Sequence, residues 1–208
     1  MNQITIRRAL LSLSEKSELS GLLDGLSAFP IQLYSTGGTY AAIEQWLSAH
    51  PCALQLIRLE DYLAYPEMPG GLVKTLHPRV HGGLLADLND PAQLQHMQEQ
   101  GMHPFDLLAV NLYPFEKTVA QQASLEDCRQ QIDIGGVAML RAAAKNFPRV
   151  AVLSDPADYV PICAELAQNQ GALCSATRLR LAQVAFRHVL SYDRAISLYL
   201  DTLEEVPC

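Results

Sequence analysis

No two of the five cysteines in this 208-residue chain form a Cys-x-x-Cys pair; Cys52, Cys128, Cys163, Cys174 and Cys208 are scattered and odd in number. That spacing supports neither a zinc site nor a disulfide framework, and most of these side chains are expected to be small core fillers. Positive charge is also scarce. Fifteen Lys and Arg stand against 22 Asp and Glu, a net charge of −7, and the basic residues are dispersed. A general nucleic-acid-binding face is thereby excluded, and any anionic ligand must be held by a few local groups. No stretch approaches the roughly 20 apolar residues of a membrane span. The opening "MNQITIRRALLSLSEKSE" meets charge too early for a secretion signal, so a cytoplasmic protein is expected. No N-x-[ST] site, internal repeat, low-complexity tract or Pro/Gly/Ser linker occurs, and one domain over residues 1–208 is expected.

What the chain does have is hydrophobic content, 49% of its residues, arranged in short apolar runs that alternate with amphipathic stretches. "RRALLSLS", "IQLYSTGG" and "ALQLIRL" read as strands, with "KSELSGLLDGLSAF" and "TYAAIEQWLSAH" as helices between them. Residues 106–115 and 149–155 read as two further buried strands. Helices are expected at 91–101, 124–131 and 136–146. Another follows Asp155 as N-cap, with Pro156 in its first turn, and ends at Gly171. A long last helix starts from a Ser/Thr cap at "SATRLRLAQ". The pattern predicts a three-layer α/β fold, with a mostly parallel sheet of about five strands flanked by helices.

In such sheets ligands sit beyond the carboxyl ends of the strands. The loop after the first strand carries Ser12, Ser14 and Lys16. The loop after the second, "STGGT", carries Ser35, Thr36, Gly37, Gly38 and Thr39 immediately before a helix. Hydroxyls and backbone N–H groups at a helix N-terminus suit a phosphate, although an ordinary helix cap has the same composition. It is not a Walker loop, because no G-x-x-x-x-G-K-[ST] is present.

Other loops supply Lys74 in "VKTLHP", Asn111 and Tyr113 in "VNLYPF", Asp133 in "IDIGG" and Lys145 in "RAAAKN". Each alone has a structural explanation as a turn hydrogen-bonder or helix-end charge. Together they offer a carboxylate base, two ammonium groups and a phenol, a set suited to carbonyl polarisation and proton transfer without a cofactor. His77 and His81 have the four-residue spacing of helical metal ligands, but Pro78 and Gly82-Gly83 argue against a helix there, and no metal is expected.

"STGGT", "YPEM", "KTLHPRVHGG", "FDLLAVNLYPFEKTVA", "IDIGGVAMLRAAAKN" and "DPADY" occur in this order. From about Arg8 to about Leu200 the chain resembles the inosine monophosphate (IMP) cyclohydrolase domain of bifunctional purine-biosynthesis proteins. The resemblance implies a methylglyoxal-synthase-like fold and closure of 5-formamidoimidazole-4-carboxamide ribonucleotide to IMP with loss of water. It also implies phosphate contacts at Ser12, Ser14, Lys16, Ser35, Thr36, Gly37, Gly38 and Thr39, and catalytic positions at Lys74, Asn111, Tyr113, Asp133 and Lys145. Thr75, Ile134 and Gly135 would lie near the base. The family's habit implies a homodimer.

Two departures stand out. The family usually reads "GRVKTLHP", and this chain has Leu72 in place of the arginine. The transformylase domain that normally follows does not occur in these 208 residues, so either a separate formyltransferase supplies the formylated substrate or the sequence is a piece of a longer protein. Beside the cyclohydrolase reading stand a paralogue that cyclises or dehydrates a different phosphorylated heterocycle, and a nucleotide-binding regulatory protein on the same fold. Methylglyoxal synthase activity is a weaker alternative, since the motifs are not that enzyme's.

Overall fold

The computed structural model describes residues 3–65, 68 and 73–203. The expectation attached to Leu72 therefore falls outside the described residues, as do Cys208 and the glycine pair Gly70-Gly71. A short strand β1 (Gln3–Thr5) precedes β2 (Arg8–Leu13), whose residues Ala9, Leu10 and Leu11 are wholly buried. Apolar side chains on both faces make β2 a central strand of a parallel sheet. The chain continues through α1 (Leu19–Leu26), β3 (Gln32–Ser35), α2 (Gly37–Ala49), β4 (Gln55–Arg58) and α3 (Leu59–Leu63). After the segment around residue 70 come α4 (Pro78–Leu85), α5 (Pro91–Glu99) and β5 (Leu107–Asn111). Next are α6 (Phe115–Ala120), α7 (Leu125–Gln130), α8 (Gly135–Lys145) and β6 (Ala151–Leu153). A 3-10 turn (Pro156–Asp158), α9 (Tyr159–Gln168), β7 (Ala172–Cys174) and α10 (Ser175–Asp201) complete the order.

The main sheet has five parallel strands in the order β4-β3-β2-β5-β6, with helices on both sides. From β2 the chain moves outward to β3 and β4, then returns across the sheet to β5 on the other flank of β2. That reversal between β2 and β5 opens a crevice beyond their carboxyl ends. The register sets Leu13 opposite Asn111, so the last residues of the two strands face each other there.

The five-strand expectation is met. The separate antiparallel pair of β1 with β7 is an addition, since strands of three residues carry too little pattern to read. The strand read over 106–115 stops at Asn111 and Phe115 opens α6, because Pro114 cannot continue the ladder. Asp155 does cap, accepting the Ala157 N–H at 2.9 Å, but it caps the 3-10 turn, and α9 begins at Tyr159. The long last helix does not start from a Ser/Thr cap. Its N-cap is Cys174, with no side-chain cap bond, and Thr177 donates to Glu165 at 2.5 Å instead.

A further correction concerns the histidine loop. Residues 78–85 are helical: Pro78 sits in the first turn, where its missing N–H costs nothing, and the His77 ring nitrogen accepts the Arg79 N–H at 3.1 Å as N-cap. Buried arginines tie the layers together through carbonyls. Arg149 reaches Gly83, Leu84, Ala86 and Phe105, and Arg178 reaches Phe147, Pro148 and Leu173. Among the described residues, Cys52, Cys128, Cys163 and Cys174 are free thiols, and no helix is long and apolar enough to cross a membrane.

Candidate active site

Asn111 holds the crevice in shape. Its side-chain oxygen accepts the Ser14 N–H at 2.6 Å, the Ser14 hydroxyl at 2.9 Å and the Glu15 N–H at 3.0 Å; its amide nitrogen donates to the Glu15 carbonyl at 2.8 Å. Both ends of the amide are thus committed to the β2–α1 loop. Asn111 is a positioning residue, fixing the loop that carries Lys16.

On one side of the crevice lies the N-terminus of α2. Gly37 adopts φ +53°, a left-handed conformation that favours glycine. A Cβ on Gly37 would stand 3.5 Å from Lys74 Nζ, and one on Gly38 would stand 3.5 Å from Lys16 Cε. Two lysine side chains therefore flank the first turn of α2, where backbone N–H groups have no partner within the helix. Ammonium groups and helix N–H groups together attract a phosphate. Thr39 fixes this turn against β2: its hydroxyl accepts the Leu13 N–H at 2.9 Å and donates to the Leu13 carbonyl at 3.0 Å. The Thr36 hydroxyl donates to Glu60 in a short hydrogen bond.

The other side of the crevice is the N-terminus of α8. The Asp133 carboxylate accepts the Gly136 N–H at 2.7 Å. Burial pushes its carboxyl above the ordinary carboxylate range, partly offset by hydrogen bonds from the Gly136 and Tyr113 backbone. Thr75 comes so close to Gly135 that a Cβ there would fall 2.6 Å from the threonine hydroxyl, so only glycine fits. Asp133 also depends on a distant partner, since Tyr192 on α10 accepts the Asp133 N–H at 2.9 Å and donates to the Gln131 carbonyl at 2.7 Å.

These elements enclose a cleft of about 1070 Å³. It gathers Ser12, Ser14, Lys16, Thr36, Gly37, Gly38, Thr39, Lys74, Thr75, Asn111, Tyr113, Asp133, Ile134 and Gly135, all sequence candidates. Two candidates stand apart. The Ser35 hydroxyl is wholly buried and donates to the Leu11 carbonyl at 2.8 Å, which makes it part of the sheet. Lys145 ends α8, ten residues beyond Gly135, which at the helical rise is about 15 Å from the cleft end of that helix. Residues that local sequence did not single out also line the cleft, among them Arg129, Gln131, Ile132 and Met139. Tyr192 and Glu60, which act through tertiary contacts, carry no local signal that marks them.

A family model described as the MGS-like domain matches residues 18–138, more than half of the chain. The chain belongs to the MGS-like domain family. A second model, the AICARFT/IMPCHase bienzyme, matches residues 143–207. The bifunctional purine biosynthesis protein PurH of Neisseria meningitidis serogroup A is 42% identical over 202 residues, covering 97% of this chain and 37% of its own length. PurH of Xanthomonas oryzae pv. oryzae is 47% identical over 211 residues, covering 98% of this chain and 38% of its own. The chain thus spans little more than a third of the length of the curated relatives it matches. The crystal structure of ForH superposes with a TM-score of 0.76 at 34% identity, covering 93% of this chain and 98% of that one.

Proposed function

We propose that this MGS-like domain is an IMP cyclohydrolase, which closes 5-formamidoimidazole-4-carboxamide ribonucleotide to IMP and releases water. One observation carries the reading. A single cleft sets two lysines at the N-terminus of one helix and a half-buried carboxylate at the N-terminus of another. The first end suits a 5′-phosphate and the second suits proton abstraction. The similarity to PurH supports the same reading.

Ring closure joins the carboxamide nitrogen to the formyl carbon of the same molecule. Holding those atoms in contact removes much of the entropic barrier. Asp133 accepts a proton from the attacking nitrogen, and its raised affinity for protons makes it a better base than an exposed carboxylate. Lys74 and Tyr113, on the cleft wall, stabilise negative charge on the former formyl oxygen and protonate it; the C–O bond then breaks as the formamido nitrogen loses its proton and forms the C=N bond, so the oxygen departs as water with the two protons the two nitrogens gave up. Asn111 keeps the loop of Lys16 in register with β5. The bonds made and broken need no redox step and no cofactor. The formyl group must already be installed by a formyl transfer. The reading carries with it a cytoplasmic, nucleotide-binding homodimer.

Incubation with the formylated ribonucleotide tests the proposal. Appearance of IMP by absorbance and chromatography is the expected result, and a stable substrate would refute it. A second reading, closure of a different phosphorylated heterocycle, is favoured by Leu72. A rise of about tenfold in kcat/KM for the purine intermediate in Leu72→Arg would support that reading, and a neutral or harmful effect would count against it.

A further inference from the structure

Glu60 stands in the first turn of α3, directly after the β4 edge strand, and one of its two carboxyl oxygens has a clear task. Oε1 accepts the hydroxyl proton of Thr36, the residue that leads into α2. Oε2 is shut off from solvent and has no hydrogen-bond partner among the described residues. Leaving a buried acceptor unpaired costs about 1–3 kcal/mol, and native structures rarely leave one without a reason.

The surroundings of that oxygen supply one. Glu60 lines a side pocket of about 120 Å³ with Leu63, Tyr65, Lys74, Leu76 and His77. Lys74 and Leu76 also line the main cleft, so the two spaces meet at Lys74. The side pocket is too small for a second nucleotide and large enough for a ring edge or a few hydroxyls. Its position along the cleft fixes which part of a nucleotide comes near. Glu60 bonds Thr36, at the α2 end, where the phosphate lies in the proposed function. Asp133, where the heterocycle reacts, is at the α8 end. In a ribonucleotide the group next to the phosphate is the pentose, whose hydroxyls are hydrogen-bond donors.

We propose that Glu60 is a specificity-determining residue whose Oε2 accepts a hydrogen bond from a ribose hydroxyl of the bound nucleotide, making the site selective for ribonucleotides over deoxyribonucleotides. The inference rests on the proposed nucleotide site. It adds a sugar contact that pairs the orphaned oxygen once a shift of the Glu60 side chain turns Oε2 toward the side pocket that the residue lines. Carboxyl oxygens serve ribose hydroxyls in the same way in dinucleotide-binding folds.

Calorimetry on the full chain with IMP, 2′-deoxy-IMP and 3′-deoxy-IMP tests it, in the natural protein and in Glu60→Ala. The natural protein is expected to bind at least one deoxy ligand ten or more times more weakly than IMP. In Glu60→Ala that ratio should collapse toward one, while affinity for the discriminated deoxy ligand changes little. Thr36→Val removes the other partner of Glu60 and should keep the ratio. Equal affinities in the natural protein, or a ratio that survives Glu60→Ala, would overturn the proposal. So would a uniform loss of affinity for all three ligands, which marks Glu60 as a support for Thr36 alone. Binding of none of them by the natural protein would refute the nucleotide site itself, a different failure from binding without discrimination. Thermal melts of both variants establish that the fold is retained.

Discussion

The hydroxyl of Tyr192 accepts the Asp133 N–H at 2.9 Å and donates to the Gln131 carbonyl at 2.7 Å, across 59 and 61 residues of sequence. α10 thereby holds the loop that presents the candidate base. Burial pushes the Tyr192 phenol up to about 12, so it remains a neutral donor and acceptor throughout the physiological range. Tyr192→Phe removes both bonds and leaves the ring. It is expected to cost about 1–3 kcal/mol of stability. In kinetics kcat should fall more than KM rises, because the phosphate end is untouched. Denaturant titration and steady-state kinetics check both.

Asp133→Asn separates chemistry from folding. As the proton acceptor, Asp133 is expected to account for a rate factor of about 10²–10⁴. Stability should move the other way. A carboxyl whose proton affinity is raised on folding carries no penalty below its ordinary pKa. The penalty grows as pH rises toward the folded value and is complete above it. The amide removes that penalty and can still accept the Gly136 N–H. A variant that melts no lower than the parent at neutral pH yet has lost turnover is the expected outcome. The acid limb of kcat/KM in the parent should lie above the ordinary carboxylate value for the same reason.

Lys16→Ala bears on the phosphate end. Its ammonium group donates to the Ser14 carbonyl at 3.1 Å and lies against Gly38, so the truncation removes charge with little disturbance of packing. Affinity for a nucleoside monophosphate should fall about tenfold or more, the range for a charge-assisted hydrogen bond. Affinity for the unphosphorylated nucleoside should not change. Thr39→Ala is a poorer probe, because Thr39 bridges Leu13 in the fold itself.

Asn111→Ala tests the clamp across the crevice. Four hydrogen bonds to Ser14 and Glu15 are lost together, so KM should rise and the melting temperature fall. Added nucleotide should restore part of the lost melting temperature, because a bound phosphate can organise the same loop.

Acidification should weaken the fold. Burial holds His77, His81 and His103 below the usual histidine value, with Arg79 reinforcing the effect at His77 and Arg8 and Arg79 at His103. Below about pH 6.5 the unfolded chain takes up protons at these rings before the folded one does, so stability falls as pH drops through that window. His103 also bonds the Tyr34 hydroxyl at 2.7 Å, and His103→Gln should flatten the dependence. Thermal melts between pH 7 and pH 5 read it out.

How much of this was legible in the sequence follows from how local each signal is. Both-faced apolar runs such as Ala9–Leu13 and Leu107–Val110 have only one way to be buried, as inner strands of a parallel sheet, so fold class and the five strands of the main sheet could be read directly, whereas the helix over 78–85 and the short pair of β1 with β7 could not. Loop composition after those strands brought forward about half of the cleft's lining, from Ser12 to Asp133, because ligand loops follow strand ends, and the family resemblance added Thr75, Ile134 and Gly135. What local pattern could not assign was what each side chain is attached to. Asn111 reads as a polar residue at a strand end, and only the pairing of β2 with β5 turns it into a clamp on Ser14 and Glu15. Ser35 and Thr39 look like phosphate ligands, yet the sheet register commits both hydroxyls to backbone carbonyls on β2. Lys145 sits in the same motif as Asp133, but the rise of α8 carries it to the far end of the helix. Tyr192 holds the Asp133 loop and Glu60 bonds Thr36 from other elements, so their roles exist only once the chain has folded. Composition and periodicity determined which residues are buried and where the loops fall; which polar groups are left to meet a ligand was decided by the tertiary hydrogen-bond network, because burial makes every donor and acceptor find a partner.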